Sequence, residues 1–140
     1  MHHVAIMRKS WGLIPKIISG EKTIESRWYT TKRAPWDKIH TGDTVFFKNS
    51  GEPIQASARV RDVLQFSFDD IHAIEKVVHT YAREICLPNT EVRTWPAIPR
   101  YGILIYLERP CVLEPFSITK KGFGGPTAWI TVSDISSITL

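Results

Sequence analysis

The sequence predicts an α+β fold, a small β-barrel of about six or seven mainly antiparallel strands with two or three helices at its ends. Three observations carry that expectation. Residues 54–66 alternate, with Ala56, Ala58 and Val60 on one side and Ser57, Arg59 and Arg61 on the other, the period of a half-buried strand. Ile71, Ile74, Val78, Tyr81 and Ile85 recur at helical spacing. The other strand-like runs are not regularly interleaved with helices, which argues against a doubly wound parallel sheet. At 140 residues one domain spanning 1–140 is expected. A chain of that size buries about two thirds of the surface it exposes when unfolded.

The elements follow in order. Val4–Met7 is a short apolar run and reads as a first strand. Leu13, Ile14, Ile17 and Ile18 form one apolar helical face, with Pro15 tolerated in the first turn and Gly20 as the stop. Thr23–Tyr29 is rich in β-branched and aromatic residues and reads as a strand. Its alternation places Thr23, Glu25, Arg27 and Tyr29 on one face and Ile24, Ser26 and Trp28 on the other. Thr30–His40 is a polar, basic loop with a turn at Trp36–Ile39. Thr41-Gly42-Asp43 is a turn signal before a strand at Thr44–Lys48, and Asn49–Pro53 turns the chain into the long strand Ile54–Phe66. Ser67-Phe68-Asp69-Asp70 is an N-cap signature for the helix that ends before Pro88. Asn89–Arg100 is irregular, with Pro96 and Pro99. Tyr101–Leu107 is a nearly continuous apolar run, as in a central strand, and Cys111–Ile118 reads as a further strand. Lys120–Gly125 is a Gly-rich basic loop, and Trp129–Val132 and Ile135–Leu140 are short closing elements.

Composition narrows the function classes. Hydrophobic residues make up 43% and charged residues 23%, which excludes disorder as the main state. The N-terminal residues lack the basic and long apolar regions of a secretory signal, and no run approaches the eighteen or so apolar residues of a spanning helix. No membrane partner and a cytoplasmic location are therefore expected. Cys86 and Cys111 are too few for a disulfide framework and read as two buried thiols in a reduced compartment.

The net charge of +4 is unevenly placed. Residues 1–40 carry eight basic against three acidic side chains, whereas residues 41–140 carry ten against eleven. Trp11, Trp28 and Trp36 lie in the same basic segment. Cations neutralise phosphates and flat aromatics stack on bases, so this segment is a candidate nucleic-acid surface. A solvated basic face over core tryptophans accounts for the charge equally well.

Several chemistries lack a signal. His72, Glu75 and His79 share a helix face beside the apolar stripe, but the spacing is not the zinc pattern His-Glu-x-x-His, and no metal and no cofactor are expected. There is no phosphate-loop motif and no nucleophile elbow. Gly122-Phe123-Gly124-Gly125 is too short for a dinucleotide fingerprint. With Lys120 and Lys121 before it, such a loop can still cradle a phosphate, or simply form a mobile hairpin tip.

The most informative stretch is Gly20-Glu21-Lys22-Thr23-Ile24-Glu25-Ser26-Arg27-Trp28. Glu25 and Arg27, two apart on a strand, project the same way and are placed to pair bidentately, which would depress the acid's pKa. Lys22 sits at the bend before the strand, where its ammonium would reach a pocket mouth. A structural Glu–Arg pair on an exposed strand fits the same residues.

The pattern Gly-x-Lys-x-x-Glu-x-Arg, filled by Gly20, Lys22, Glu25 and Arg27 after the first helix, resembles the signature of ASCH domains in the PUA-like superfamily. The resemblance runs over roughly residues 3–110, through the Gly42-Asp43 turn, the 54–66 strand, the 69–85 helix and the 101–107 strand; residues 111–140 are unmatched. It implies a PUA-like barrel with a cleft beside the first helix that takes RNA or a modified nucleobase. Lys22, Glu25 and Arg27 would line that cleft, with Thr23 adjacent and Arg8, Lys9 and Trp11 on its rim. One branch similar to ASCH domains hydrolyses the amide of N4-acetylcytidine with a lysine, a threonine and a glutamate. The lysine matches Lys22, but the threonine position holds Glu25, and Thr23 lies two residues earlier.

The leading expectation is an RNA-binding or other nucleic-acid-binding module that reads one base in the cleft. Its contact set is Arg8, Lys9, Trp11, Lys22, Thr23, Glu25, Arg27, Trp28, Lys120 and Lys121, with Lys32 and Arg33 also placed to meet phosphates. The alternative is an enzyme acting on RNA or a modified nucleoside, a ribonuclease or amidohydrolase, with Lys22 and Glu25 as the catalytic pair. A regulatory or assembly domain with a vestigial cleft is the third reading.

Overall fold

The computed structural model describes residues 1–124 and 127–140. Six strands form one curled, mixed sheet: β1 (His2–Met7), β2 (Ile24–Tyr29), β3 (Thr44–Asn49), β4 (Ile54–Ser67), β5 (Tyr101–Phe116) and β6 (Trp129–Val132). Their order across the sheet is β2-β5-β4-β3-β1-β6, so β2 and β6 are the two edges. Every neighbouring pair is antiparallel except β1 with β3. Two helices complete the α+β architecture, α1 (Leu13–Ser19) and α2 (Ile71–Ile85).

The local reasons are those the residues suggest. Gly12 and Gly20 flank α1 with φ values of 61° and 83°, left-handed conformations that admit glycine without a Cβ clash. Asp70 caps α2 by accepting a hydrogen bond from the Ala73 N–H at 2.9 Å. Residues 101–107 and 111–118, expected as separate strands, are instead joined in the 16-residue β5, which runs to Phe116. The β4–β5 register slips at Ser57/Arg59 and Val60/Asp62, and Arg109 takes φ 51°. Bulges there absorb Pro110 without ending the strand.

The inner face of the sheet holds the main core. Ala5, Val45, Phe47, Ala58, Val60, Ile103 and Ile105 pack there, and Leu13, Ile14 and Ile17 of α1 cover them. On the outer face, Ile74, Val78 and Ile85 of α2 pack with Ile24, Leu104, Trp28 and Phe66. A third cluster seats the tail residues Ile118, Ile130, Ile135 and Ile138 against Val4, Ile6 and Ile54. The cysteine expectation fails: Cys111 is exposed on β5 and Cys86 only half-buried. Cys86 occupies the left-handed cap position after α2, at a surface end of the helix. No helix among the described residues is long and apolar enough to cross a membrane.

Candidate functional site

The open seam of the curled sheet lies between the β2 edge and the β1–β6 edge, and one side chain spans it. Arg27 on β2 donates from Nη1 to the Ala128 carbonyl at 3.2 Å and from Nη2 to the Ile6 carbonyl at 3.5 Å. Its guanidinium lies 5.0 Å from the centroid of the Trp129 ring, which supports it from below. Trp129 is itself fixed, because its Nε1–H donates to Nδ1 of the fully buried His3 at 3.1 Å. Nδ1 is therefore an acceptor, and Nε2–H of His3 donates to Asp43 Oδ2 at 2.8 Å. Burial pushes the His3 pKa down, against the opposing pull of the Asp43 carboxylate.

Lys22 is 2% exposed and sits at the bottom of the cleft, not at a pocket mouth. The stop at Gly20 ends α1, and the Lys22 side chain reaches between the start of β2 and the end of α2. Its ammonium donates to the carbonyls of Ile24, at 2.7 Å, and Ile85, and lies 3.3 Å from Glu25 Oε1. An ammonium has three N–H donors, and each faces an acceptor. Ile85 ends α2, where carbonyls lack helical partners and a cation opposes the helix dipole. The next residue adds to the clamp, since the Thr23 N–H bonds the Glu84 carbonyl at 3.0 Å.

Glu25 is also buried, and it bridges the two cations. Oε1 meets Lys22 and accepts from the Ser26 N–H at 3.1 Å, while Oε2 accepts from Arg27 Nη2 at 3.1 Å. The two-pronged fork expected between Glu25 and Arg27 is thus replaced by a single bond from Nη2 to Oε2, with Oε1 taken by Lys22 and the Ser26 N–H. Burial pushes the Glu25 pKa up, but Lys22 and Arg27 outweigh it and hold the carboxyl below its ordinary value. Two cations against one anion leave a net positive floor.

Above this floor opens a cleft of about 690 Å³. Ile6, Met7, Leu13, Leu87 and Pro88 give it apolar walls, and Trp28 and Trp95 face it from the loop side. Trp28 keeps the face of β2 that alternation gives it, packing with Ile24 and Leu104, and also lines the cleft because β2 is an edge. Its ring stacks near Phe68 at 6.1 Å, meets Trp95 edge-on at 5.6 Å, and donates Nε1–H to Ser26 Oγ at 2.9 Å. Gly102, its cross-strand partner, makes room: a Cβ there would lie 2.9 Å from the Trp28 ring. At the rim the exposed Arg8 guanidinium lies 4.9 Å from the Trp11 ring centroid.

The structure therefore brings together Arg8, Trp11, Lys22, Glu25, Arg27 and Trp28 around one cleft. It does not bring in the other expected contacts. Lys9 turns away to an ion pair with Glu52 at 2.6 Å. The Thr23 side chain is exposed and absent from the lining, since the strand begins at Ile24. Lys120 and Lys121 also lie outside it, and Gly125 of the same loop falls outside the described residues. His72 is solvent-facing beside Glu75, and among the described residues no three His, Cys, Asp or Glu side chains converge to hold a metal.

Sequence reasoning missed Trp95, Pro96 and Pro99, which line the cleft from the segment read only as irregular. It missed His3, Asp43 and Trp129, whose contacts join residues up to 126 positions apart. A tryptophan beside prolines in a segment between two long elements was the available signal for the first group; the second had none.

No family model matches the sequence, and no curated protein matches it. Solved structures do. The ASCH protein from Zymomonas mobilis superposes with a TM-score of 0.69 at 15% identity, covering 99% of this chain and 96% of that one. A Tyr→Phe variant of that protein gives 0.70 at 15% identity over 97% and 93% of the chains. A Ser→Ala variant gives 0.70 at 14% identity over 97% and 91%. Such a likeness extends over residues 111–140, which the sequence resemblance left unmatched.

Proposed function

We propose that this chain, which has the ASCH-domain, PUA-like fold, binds single-stranded nucleic acid, RNA foremost, and seats one nucleobase in the cleft between β2 and the loop after α2. The observation that carries this reading is a net positive Lys22–Glu25–Arg27 floor beneath a wall made by Trp28 and Trp95. The volume of about 690 Å³ falls in the usual range for small-ligand clefts, about 300–1,000 Å³. Arg8, exposed and stacked on Trp11, is placed to meet a phosphate at the entrance. Within the cleft Trp28 or Trp95 would stack on the base, contributing about 1–3 kcal/mol.

The state of Lys22 favours binding over catalysis. A lysine acting as base or nucleophile needs a free lone pair, and this ammonium is held by two carbonyls and a carboxylate. Glu25 is held ionised by the same contacts, which does not suit a general acid. Lys22 and Glu25 thus act as a rigid base for Arg27.

The test is a titration with a hexaribonucleotide of randomised sequence, followed by tryptophan fluorescence at two salt concentrations. The expected result is salt-sensitive binding that Trp28→Ala weakens about 5- to 150-fold. Binding that is indifferent to both salt and Trp28 would overturn the proposal.

A further inference from the structure

Beyond the cleft, β2 runs on into a second layer of cations and aromatic rings. Tyr29 and Thr30 still line the cleft. Tyr29 pairs across the sheet with Tyr101, so the two rings share a face. The chain then turns back over them. The Tyr29 hydroxyl donates to the Ala34 carbonyl at 3.0 Å and pins the loop. Arg33 sets its guanidinium carbon 5.6 Å from the Tyr29 centroid. Lys32 Nζ lies 5.6 Å from the centroids of both Trp36 and Tyr101, which meet edge-on at 5.1 Å.

This patch is not a salt-bridged surface. Lys32 and Arg33 are exposed, and neither makes an ion pair with a carboxylate among the described residues. Three cation–π contacts fall on this one loop, two of them from Lys32 and one from Arg33. Rings hold both cations in place while leaving their charge unneutralised, a suitable arrangement for an incoming phosphate. The rings are half-buried, so each still offers an edge or face beside the cation.

We propose that Lys32 and Arg33, on the Tyr29–Tyr101–Trp36 layer, form a second subsite that takes the phosphate and base of the nucleotide adjoining the one in the cleft. The inference rests on the nucleic-acid reading of the cleft and deepens it: the ligand is a strand of at least two nucleotides, recognised through its backbone, and not a free nucleoside. Tyr29 belongs to both subsites and sets where one passes into the other.

Two probes separate this from the cleft reading. One is an equimolar mixture of the four ribonucleoside 5′-monophosphates; the other is the randomised hexaribonucleotide. Each is titrated against the wild type and the double variant Lys32→Ala/Arg33→Ala, whose changes are on the surface. The wild type should bind the hexamer ~10-fold or more tightly than the monophosphates. The double variant should bind the monophosphates as the wild type does but lose that ~10-fold advantage. Its slope of log K against log[salt] on the hexamer should become less steep by about 1.4, two phosphate contacts on a single strand. An unchanged hexamer affinity, or an equal loss on both probes, overturns the second subsite and leaves the cleft reading standing. Failure of the wild type to bind either probe overturns both.

Discussion

Replacing Glu25 by glutamine tests whether the floor of the cleft is an electrostatic unit. The substitution keeps shape and removes one charge from between two cations. Lys22 lies 3.3 Å and Arg27 3.1 Å from the carboxylate, with only 1% and 12% of their side chains exposed. At an effective dielectric of about 20, each contact corresponds to roughly 5 kcal/mol of Coulomb attraction. Relief of the buried carboxylate's desolvation offsets part of this, leaving a net loss of about 3–5 kcal/mol. That is a large share of the roughly 5–15 kcal/mol of a typical domain. With a urea slope of about 2 kcal/mol per molar, the midpoint should fall by about 2 M, read by tryptophan fluorescence. The double variant Lys22→Met/Glu25→Gln removes the stranded ammonium and should lose less than the sum of the two single changes. A loss below about 1 kcal/mol for Glu25→Gln, or simple additivity in the double variant, would refute the reasoning.

Other consequences can be measured alongside. Stability should fall as the solution is acidified, because three buried or half-buried groups have lowered folded-state pKa values. His3 loses its contribution as pH drops below its ordinary 6.5 toward its lower folded value, and Glu25 and Asp43 lose theirs below about 4.5 and 3.8. A denaturation midpoint flat from pH 7 to pH 5 would count against the His3 assignment, and one flat from pH 5 to pH 2 against those of Glu25 and Asp43. Gly102→Ala forces a Cβ against the Trp28 and Phe68 rings and should cost about 1–3 kcal/mol, with a shift in tryptophan emission; a neutral melt would mean the wall is loosely packed. Trp129→Phe keeps a ring beneath Arg27 but removes the donor to His3, and should cost about 1–2 kcal/mol in a urea melt.

What the sequence made legible was periodic or local. The alternation of β4 and the stripe of α2 each repeat over many residues, so tertiary context had little room to override them. The cap at Asp70 and the stop at Gly20 are one-residue signals with direct backbone causes. The motif from Gly20 to Arg27 located the cleft, but not the depth of Lys22, because its partner carbonyl on Ile85 lies 63 positions away. Alternation counted from Thr23 misplaced that side chain, since pairing begins one residue later. Composition favoured buried cysteines, yet Cys111 lies on the exposed stretch of β5 beyond the Arg109 bulge. The Trp129 platform and its His3 anchor were invisible because they join the two ends of the described chain.

The bridging of the seam by Arg27 also bears on when the site comes into existence during synthesis. The two backbone carbonyls it bonds across the seam belong to residues 21 positions before it and 101 positions after it. Contacts that span so much chain carry a large loop-closure cost and form late. A nascent polypeptide that has released β1 to β5 already has Trp28, Trp95 and the Lys22 clamp. Its guanidinium still lacks the Ala128 carbonyl and the Trp129 ring until those residues leave the ribosome. On the nucleic-acid reading proposed above, affinity for the ligand would then arrive only with β6.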